Sequence, residues 1–474
     1  MHKEFDFIIL GGGSAGYAAA RTAVEAKLRV ALVEGGEQLG GLCILKGCMP
    51  SKTLLESANR FLSFRHAEKF GLWAKDFGFS SEAIRTRKEL LVEEFASYRS
   101  EQLEKGHFHF VRGNATFLDA KSVHVDMLEG GSLVLKGRSF LIATGSEIKH
   151  HNIQGLDLPD ILTSNDLLTT AEVPASVIIL GAGPVALEAA HYYEALGSKV
   201  TILQRSEHLL HSMDEDVSDA LKSAFIHRGM HIFTGTKLQK IEGNTGNFSV
   251  HFEHLGENKS VQAAAVLNAL GRQPRIDSLG LEKVGVAIEG GRIRITAGQQ
   301  TSARNIFAAG DVCGPHEIVH LAIQQGEVAA RNAFRLLRWE DDPFEKMDYR
   351  LKVFATFTEP QVATVGASEK ELQAAGIPFL SASYPFADHG KALIHGALEG
   401  FVKILAHRTN GEILGASIIG PEASELIHEI VVAMRYHATV QEFAQIPHYH
   451  PTLAEIWLYP AEVLAERCGK RFIG

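Results

Sequence analysis

The segment Gly11-Gly12-Gly13-Ser14-Ala15-Gly16 decides how this chain is read. Before it, residues 5–10 form an apolar run. After it, residues 17–26 are Ala-rich and helical in character, and residues 28–33 form a second apolar run closed by Glu34. Strand, glycine turn, helix, strand is the opening of a parallel βαβ sheet. In that setting Gly11-x-Gly13-x-x-Gly16, with an acid 23 residues after Gly11, is a dinucleotide fingerprint. Gly11 permits the tight turn, Gly13 lets a pyrophosphate approach, and Gly16 lets helix and strand pack closely. The helix N-terminus and its free N–H groups stabilise phosphate charge. Glu34 offers a carboxylate to a ribose.

A near copy follows. Residues 176–180 read as a strand, Gly181-Ala182-Gly183-Pro184-Val185-Ala186 as the turn, and residues 187–196 as a helix closed by Gly197. The next strand, 199–203, ends at Gln204-Arg205, and again 23 residues separate Gly181 from Gln204. Two fingerprints with one spacing argue for two nucleotide-binding domains. Ala186 replaces the third glycine, so this helix is expected to sit slightly further from its strand. No acid ends the second strand. Arg205 is able to pair with a 2′-phosphate, with His211 as a weaker second contact, so the sequence leans to NADP(H). The ordinary alternative for Arg205 is a solvated surface arginine.

The rest of the chain falls around these copies. Long helical patterns fill 56–105, short strands fill 108–139, and residues 140–145 read as a strand ending in Ala143-Thr144-Gly145. A further strand, 305–311, ends in Gly310-Asp311. A helix over 318–339 follows it, with a linker at Asp341-Asp342-Pro343. From about residue 353 alternating strands give way to helices at 422–437 and 453–467, which reads as a separate α+β domain. The fold class is α/β: two Rossmann-like domains plus a C-terminal α+β domain. The expected boundaries are 1–150, 151–275, a returning segment 276–348, and 349–474.

Composition narrows the function. The chain has 474 residues with 47 Lys and Arg against 56 Asp and Glu, a formal charge of −9, and no polybasic arm. Nucleic-acid binding is therefore not expected. No apolar run reaches the ~18–20 residues of a membrane span. An apolar strand begins at Phe5 and leaves no room for a signal peptide, so a cytoplasmic location is expected. The four cysteines are too few for an extracellular disulfide scaffold.

Two of those cysteines sit in Gly41-Leu42-Cys43-Ile44-Leu45-Lys46-Gly47-Cys48-Met49-Pro50-Ser51-Lys52. Two thiols five apart, on a turn entering a helix, are able to bridge and reopen, and the helix start and Lys52 help hold a thiolate. A zinc site would need further ligands at suitable spacing, and the next histidine, His66, sits in no such motif. No metal is expected. A purely structural disulfide is the remaining alternative, disfavoured in a reducing compartment.

With these motifs in order, the chain resembles the class I FAD-dependent pyridine nucleotide–disulfide oxidoreductases of the dihydrolipoamide dehydrogenase, glutathione reductase and mercuric reductase type. The resemblance spans about residues 5 to 470. It also rests on the run from Thr356 to Gly366 and on His450-Pro451-Thr452-Leu453-x-Glu455. It implies FAD at Gly11, Gly13, Ser14, Ala15, Gly16, Glu34, Gly41, Lys52, Thr144, Gly145, Gly310 and Asp311. It implies NAD(P) at Gly181, Gly183, Ala186, Gln204, Arg205 and Gly271. Cys48 would be the thiolate facing the flavin and Cys43 the thiol that meets the substrate. Lys52 would stabilise negative charge on reduced flavin, with Glu188 orienting it. His450 would be the acid–base, its ring fixed by Glu455. In the family this histidine serves the partner subunit's site, which implies a homodimer with a shared active site. His437 and His448 carry no such motif and are read as ordinary core or surface residues.

Departures limit how far the resemblance reaches. Leu42 and Ile44-Leu45-Lys46 differ from the family's usual residues beside Cys43. Glu327 follows Gly326 where glutathione enzymes generally carry arginine. Cys468 stands without a second C-terminal cysteine, unlike mercuric and high-molecular-weight thioredoxin reductases, and is read as a structural thiol. Cys313 is expected to be packed rather than catalytic. The expected activity is electron transfer between a small or lipoyl-type dithiol, the Cys43–Cys48 pair, FAD and NAD(P). The alternatives are an NADPH-dependent reductase of another small disulfide, a mercuric-reductase-like enzyme, or a flavin-binding subunit with vestigial chemistry.

Overall fold

The structure, a computed structural model, describes residues 3–170, 172–338 and 342–468. Trp339 and Asp341, at the end of the expected helix and in the expected linker, lie outside the described residues. The chain forms two compact units: residues 1–53, 86–150 and 271–348 make one, and residues 54–85, 151–270 and 349–474 the other.

The first unit is built on a six-stranded sheet. Strand Lys3–Leu10 pairs in parallel with Val30–Glu34 on one side and Ser132–Ile142 on the other. His109–Asp119 extends the sheet beside Val30–Glu34, and Ile306–Ala308 extends it beside Ser132–Ile142. Strand Ser122–Met127 runs antiparallel between His109–Asp119 and Ser132–Ile142. Phe7, Ile8, Ile9 and Leu10 are all buried. A strand covered on both faces needs an uninterrupted apolar run, which explains why this one lacks alternation. Helices Ser14–Glu25 and Val319–Arg338 pack on one face with Ala15, Ala19, Ala329 and Ala333 in a shared core. Gly326 is required there, since a Cβ would stand 2.2 Å from the Ala15 carbonyl oxygen.

The second unit carries a five-stranded parallel sheet in the order His231–Phe233, Lys199–Leu203, Ser176–Leu180, Ala265–Asn268, Leu162–Thr163. Helix Pro184–Ala195 follows the second glycine turn and is buried along most of its length. It starts three residues before the sequence expectation, because Pro184 is tolerated at a first helical position, where no N–H is needed. Helix Cys48–Arg65 begins in the first unit. From Leu54 on it packs Leu54, Leu55, Ala58 and Leu62 into the core of this second unit. The C-terminal part is an antiparallel sheet ordered Val353–Thr356, Gln361–Gly366, Ile413–Gly420, Phe401–His407, Phe379–Pro385. Helices Ala423–Arg435 and Leu458–Arg467 close its core around Phe386, Phe443 and Trp457.

Candidate active site

The first fingerprint gathers several distant pieces of sequence because its glycines leave no room for side chains. A Cβ on Gly11 would stand 2.3 Å from the Ala143 carbonyl oxygen, and one on Gly16 would stand 1.8 Å from that of Gly11. The first contact brings Ala143-Thr144-Gly145 against the turn, and the Ala143 N–H donates to the Leu10 carbonyl at 2.8 Å. Thr144 Oγ1 donates to the Arg275 carbonyl at 2.7 Å. Gly310 lies beside Ala15, and its N–H donates to Gln325 Oε1 at 2.7 Å. Asp311 accepts a 2.6 Å hydrogen bond from Ser146 Oγ. Glu34 ends its strand within the fingerprint, accepting 2.6 Å hydrogen bonds from the N–H groups of Gly12 and Gly36. Around a Cβ on Gly13 there would be nothing within 4 Å. The turn is thus crowded wherever the chain packs on itself and open where a ligand has to approach.

Gly41 carries the redox pair to this turn. Its φ is +67°, and a Cβ there would stand 2.8 Å from Gly13 Cα. The sequence suggested a turn leading into a helix. Instead Cys43 sits in a short helix, Gly41–Lys46, and Cys48 is the first residue of the next, Cys48–Arg65. Gly47 makes the break: a Cβ on it would stand 2.9 Å from the Leu42 carbonyl oxygen and 3.1 Å from Cys43 Cα. That tight junction lets the two sulfurs meet, and no disulfide joins them in this structure. The hydrogen bond with Cys48 is the largest influence holding the Cys43 thiol well above the usual range. Burial and the charge of Cys48 add to it, while Lys52 acts the other way. Arg99 and Tyr17, which the sequence did not single out, belong to the same region. The Arg99 guanidinium lies 4.2 Å from the Tyr17 ring centroid, and Cys43 is one of the groups acting on its charge.

The second fingerprint repeats the geometry in the second unit. A Cβ on Gly181 would stand 2.6 Å from the Ala269 carbonyl oxygen, and one on Gly183 would meet nothing within 4 Å. Ala186 is fully buried, so this helix has the room that Gly16 lacks. Gln204 donates from Nε2 to Ser206 Oγ at 2.5 Å, while Arg205 is exposed and forms no ion pair with another described residue. Gly271, φ +110°, precedes the strand Arg272–Pro274 of the first unit. Glu188 is buried in the second unit and accepts a 3.1 Å hydrogen bond from the Phe357 N–H, whereas Lys52 belongs to the first unit.

In the C-terminal domain, Glu455 Oε2 lies 3.0 Å from His450 Nδ1, and the His450 side chain is 80% exposed. The two residues that the sequence paired are thus in contact. His448 and His437 instead pair with Glu429 at 2.6 Å and Glu412 at 2.7 Å. Cys313 is enclosed in the first unit's core, and burial pushes its thiol up to about 12. Cys468 is likewise buried in the C-terminal core.

Comparison with known proteins is decisive for kinship. The profile of the pyridine nucleotide–disulphide oxidoreductases matches residues 5–326, and that of their dimerisation domain matches residues 354–460. The chain belongs to the pyridine nucleotide–disulphide oxidoreductase family. It is 34% identical to a dihydrolipoyl dehydrogenase of Chlamydia muridarum, covering 96% of each chain. It is 33% identical to that of Bacillus subtilis, covering 96% of this chain and 97% of the other. Among solved structures it is similar to LpdA of Mycobacterium tuberculosis, with a TM-score of 0.87 and 26% identity over 98% of this chain and 99% of the other. It is also similar to the HOCl-induced flavoprotein disulfide reductase RclA of Escherichia coli, with a TM-score of 0.84 and 26% identity over 98% of this chain and all of the other.

This family member is an FAD-dependent oxidoreductase with an NAD(P)-binding Rossmann fold and a dimerisation domain. Its residues fit the cofactor: the space at Gly13, the helix start at Ser14 and the Glu34 carboxylate are what a dinucleotide needs. Among the described residues, no helix is long and apolar enough to cross a membrane.

Proposed function

We propose that the enzyme oxidises or reduces a lipoyl-type dithiol and works in the manner of a dihydrolipoyl dehydrogenase. The reading is carried by the Cys43–Cys48 pair, seated against the first fingerprint through Gly41. Relatives named dihydrolipoyl dehydrogenase, aligned over almost the whole chain, support the lipoyl substrate. When bound, FAD supplies the hydride chemistry that links nicotinamide to the cysteine pair. The protein supplies the thiol chemistry. A substrate thiolate attacks Cys43 Sγ of the Cys43–Cys48 disulfide, forming a mixed disulfide and expelling Cys48 as thiolate. The second substrate thiol then attacks the substrate's own sulfur in that mixed disulfide. The substrate ring closes as a disulfide and Cys43 leaves. Two electrons have passed to the pair, and Cys43, whose thiol is held above its usual range, keeps a proton. His450 takes the proton from the attacking substrate thiol, with Glu455 holding its ring.

The exposure of His450 supports a role outside its own protomer, so the proposed working form is a homodimer that shares its sites. Lys52 and Glu188 are assigned to the flavin side. The residues of both fingerprints, with Gly145, Gly271, Gly310 and Asp311, are assigned to the two nucleotides. Gln204 and Arg205 favour NADP(H), because no carboxylate stands there to repel a 2′-phosphate. The same observation supports a second reading, an NADPH-dependent reductase of another disulfide, closer to RclA. A two-cysteine redox centre is suited to a reducing compartment such as the cytoplasm.

The test compares NAD+ with dihydrolipoamide against NADPH or NADH with lipoamide, glutathione disulfide and other disulfides. Turnover of dihydrolipoamide or lipoamide supports the first reading. NADPH-dependent reduction of another disulfide with no lipoamide activity overturns it in favour of the second.

A further inference from the structure

His389 is a fully buried imidazole that neither the fingerprints nor the redox motif accounts for. It lies just ahead of the short helix Gly390–His395, and its backbone N–H donates to the Phe386 carbonyl at 3.0 Å. Its Nε2 stands 3.5 Å from Glu455 Oε1, the oxygen of that carboxylate that does not face His450. Neither ring nitrogen has a made hydrogen bond. Aromatic rings also lie around it. The Phe386 ring lies 6.5 Å away edge-on and the Tyr459 ring 6.2 Å away edge-on, with Tyr384 stacked on Tyr459 at 4.0 Å. The charged or titratable groups facing it are thus Glu455, His450 beyond it, and the two tyrosines. Asp388 precedes it in the chain, and its carbonyl accepts from Tyr384 OH.

Burying an imidazole without a partner is costly, and the Glu455 carboxylate is a strong acceptor within reach. Burial lowers the imidazole's affinity for a proton, against the pull of Glu455, so His389 is neutral at neutral pH and has one N–H to give. We propose that His389 is a positioning residue for the thiol chemistry, clamping Glu455 through Oε1 so that Oε2 is presented to His450. This rests on His450 being the acid–base of the preceding section. The clamp has an electrical consequence. An N–H on Oε1 draws off part of the carboxylate's charge and moderates the hold of Glu455 on a His450 imidazolium. Without that N–H the carboxylate charge is undivided, and the imidazolium is favoured.

Deuterium exchange at imidazole C2–H, followed by mass spectrometry on the flavin-loaded enzyme, reports the protonation of each histidine separately and needs no turnover. In H389L the midpoint for His450 is expected to rise by about half a pH unit, roughly threefold in the imidazolium-to-imidazole ratio at fixed pH. The acid limb of the dithiol reaction should move with it. H389N, which keeps an N–H donor, should recover most of the change, and H389L/E455Q should match E455Q. An unmoved or lowered midpoint in H389L, or an H389N variant no different from H389L, overturns the clamp. If H389L does not fold, the unaltered enzyme still decides: His389 must exchange as a neutral imidazole at pH 7, and imidazolium behaviour there overturns the proposal. The two readings fail separately. An enzyme that turns over no dithiol or disulfide refutes the proposed function while the titration still reports on His389. An active enzyme with an unmoved His450 midpoint refutes only the clamp.

Discussion

Replacing Lys403 by methionine should loosen the join between the nucleotide-binding sheet of the second unit and its C-terminal sheet. Lys403 is only 3% exposed, and its Nζ lies 2.8 Å from both Asp214 and Asp216 and 3.2 Å from Glu369. Burial alone would depress this ammonium, but the hydrogen bonds to Asp214 and Asp216 outweigh it and hold it above its ordinary value. The native contribution is therefore fully present below the unfolded lysine value of about 10.4 and is lost only as pH rises through the higher folded value. The partners do not count equally. Asp216 is 46% exposed and screened by water, so its pair is worth little. Asp214 is 5% exposed and would lose its counter-ion while keeping the Glu369 N–H at 3.0 Å. Removing one partner of such a pair costs about 3–5 kcal/mol. Proton uptake sets a ceiling, because protonating a carboxylate of ordinary pKa near 3.9 at pH 7 costs about 4 kcal/mol. About 3–4 kcal/mol is the expected loss. Native-state amide exchange should then quicken by roughly a hundred- to a thousand-fold in helix Glu215–His227 and strand Phe401–His407. A buried carboxylate without its ammonium partner favours protonation, so the variant's deficit must shrink on acidification from pH 7, by at most about 1.4 kcal/mol per pH unit. D216N should cost under about 1 kcal/mol. A tenfold or smaller quickening in K403M at pH 7, or a deficit that holds constant down to pH 5, would refute this account.

Other perturbations separate the parts of the site. H450Q should retain flavin and the Cys43–Cys48 bridge but slow dithiol turnover by more than about tenfold; wild-type rates in stopped-flow would remove His450 from the mechanism. G16A places a methyl 1.8 Å from the Gly11 carbonyl oxygen and should strip flavin from the purified protein, read from the ratio of visible to ultraviolet absorbance. G183A meets nothing within 4 Å in the protein, so its thermal midpoint should be unchanged while KM for the nicotinamide cofactor rises about tenfold or more. R205E should reverse a preference for NADPH by placing a carboxylate against the 2′-phosphate, and an unchanged NADPH-to-NADH ratio of kcat/KM would make Arg205 a bystander.

What the sequence displays and what it hides follow from how each feature is made. Both glycine turns were legible because their spacing is local: strand, turn and helix are consecutive, and a forbidden Cβ leaves its mark as a glycine. The strands Ser176–Leu180 and Lys199–Leu203 fall where the apolar runs suggested, because their buried centres, Val177 to Leu180 and Val200, Ile202 and Leu203, are apolar. The break at Gly47 was not legible. Its φ is −137°, which any residue adopts, and the need for glycine arises from Leu42 and Cys43 pressing on it once the two short helices have formed. His389 and Arg99 were hidden for a stronger reason. Each matters through a residue far along the chain, 66 positions away for His389 with Glu455 and 56 for Arg99 with Cys43. Neither sits in a motif of its own. His450 was recognised by its neighbours Pro451, Thr452 and Glu455, yet the oxygen of Glu455 turned away from it is the one that meets a second imidazole. A motif records which residues a site needs beside each other in the chain. What holds them in place comes from elsewhere in the fold, and here that support comes from a buried polar group that the apolar core around it gives no reason to keep.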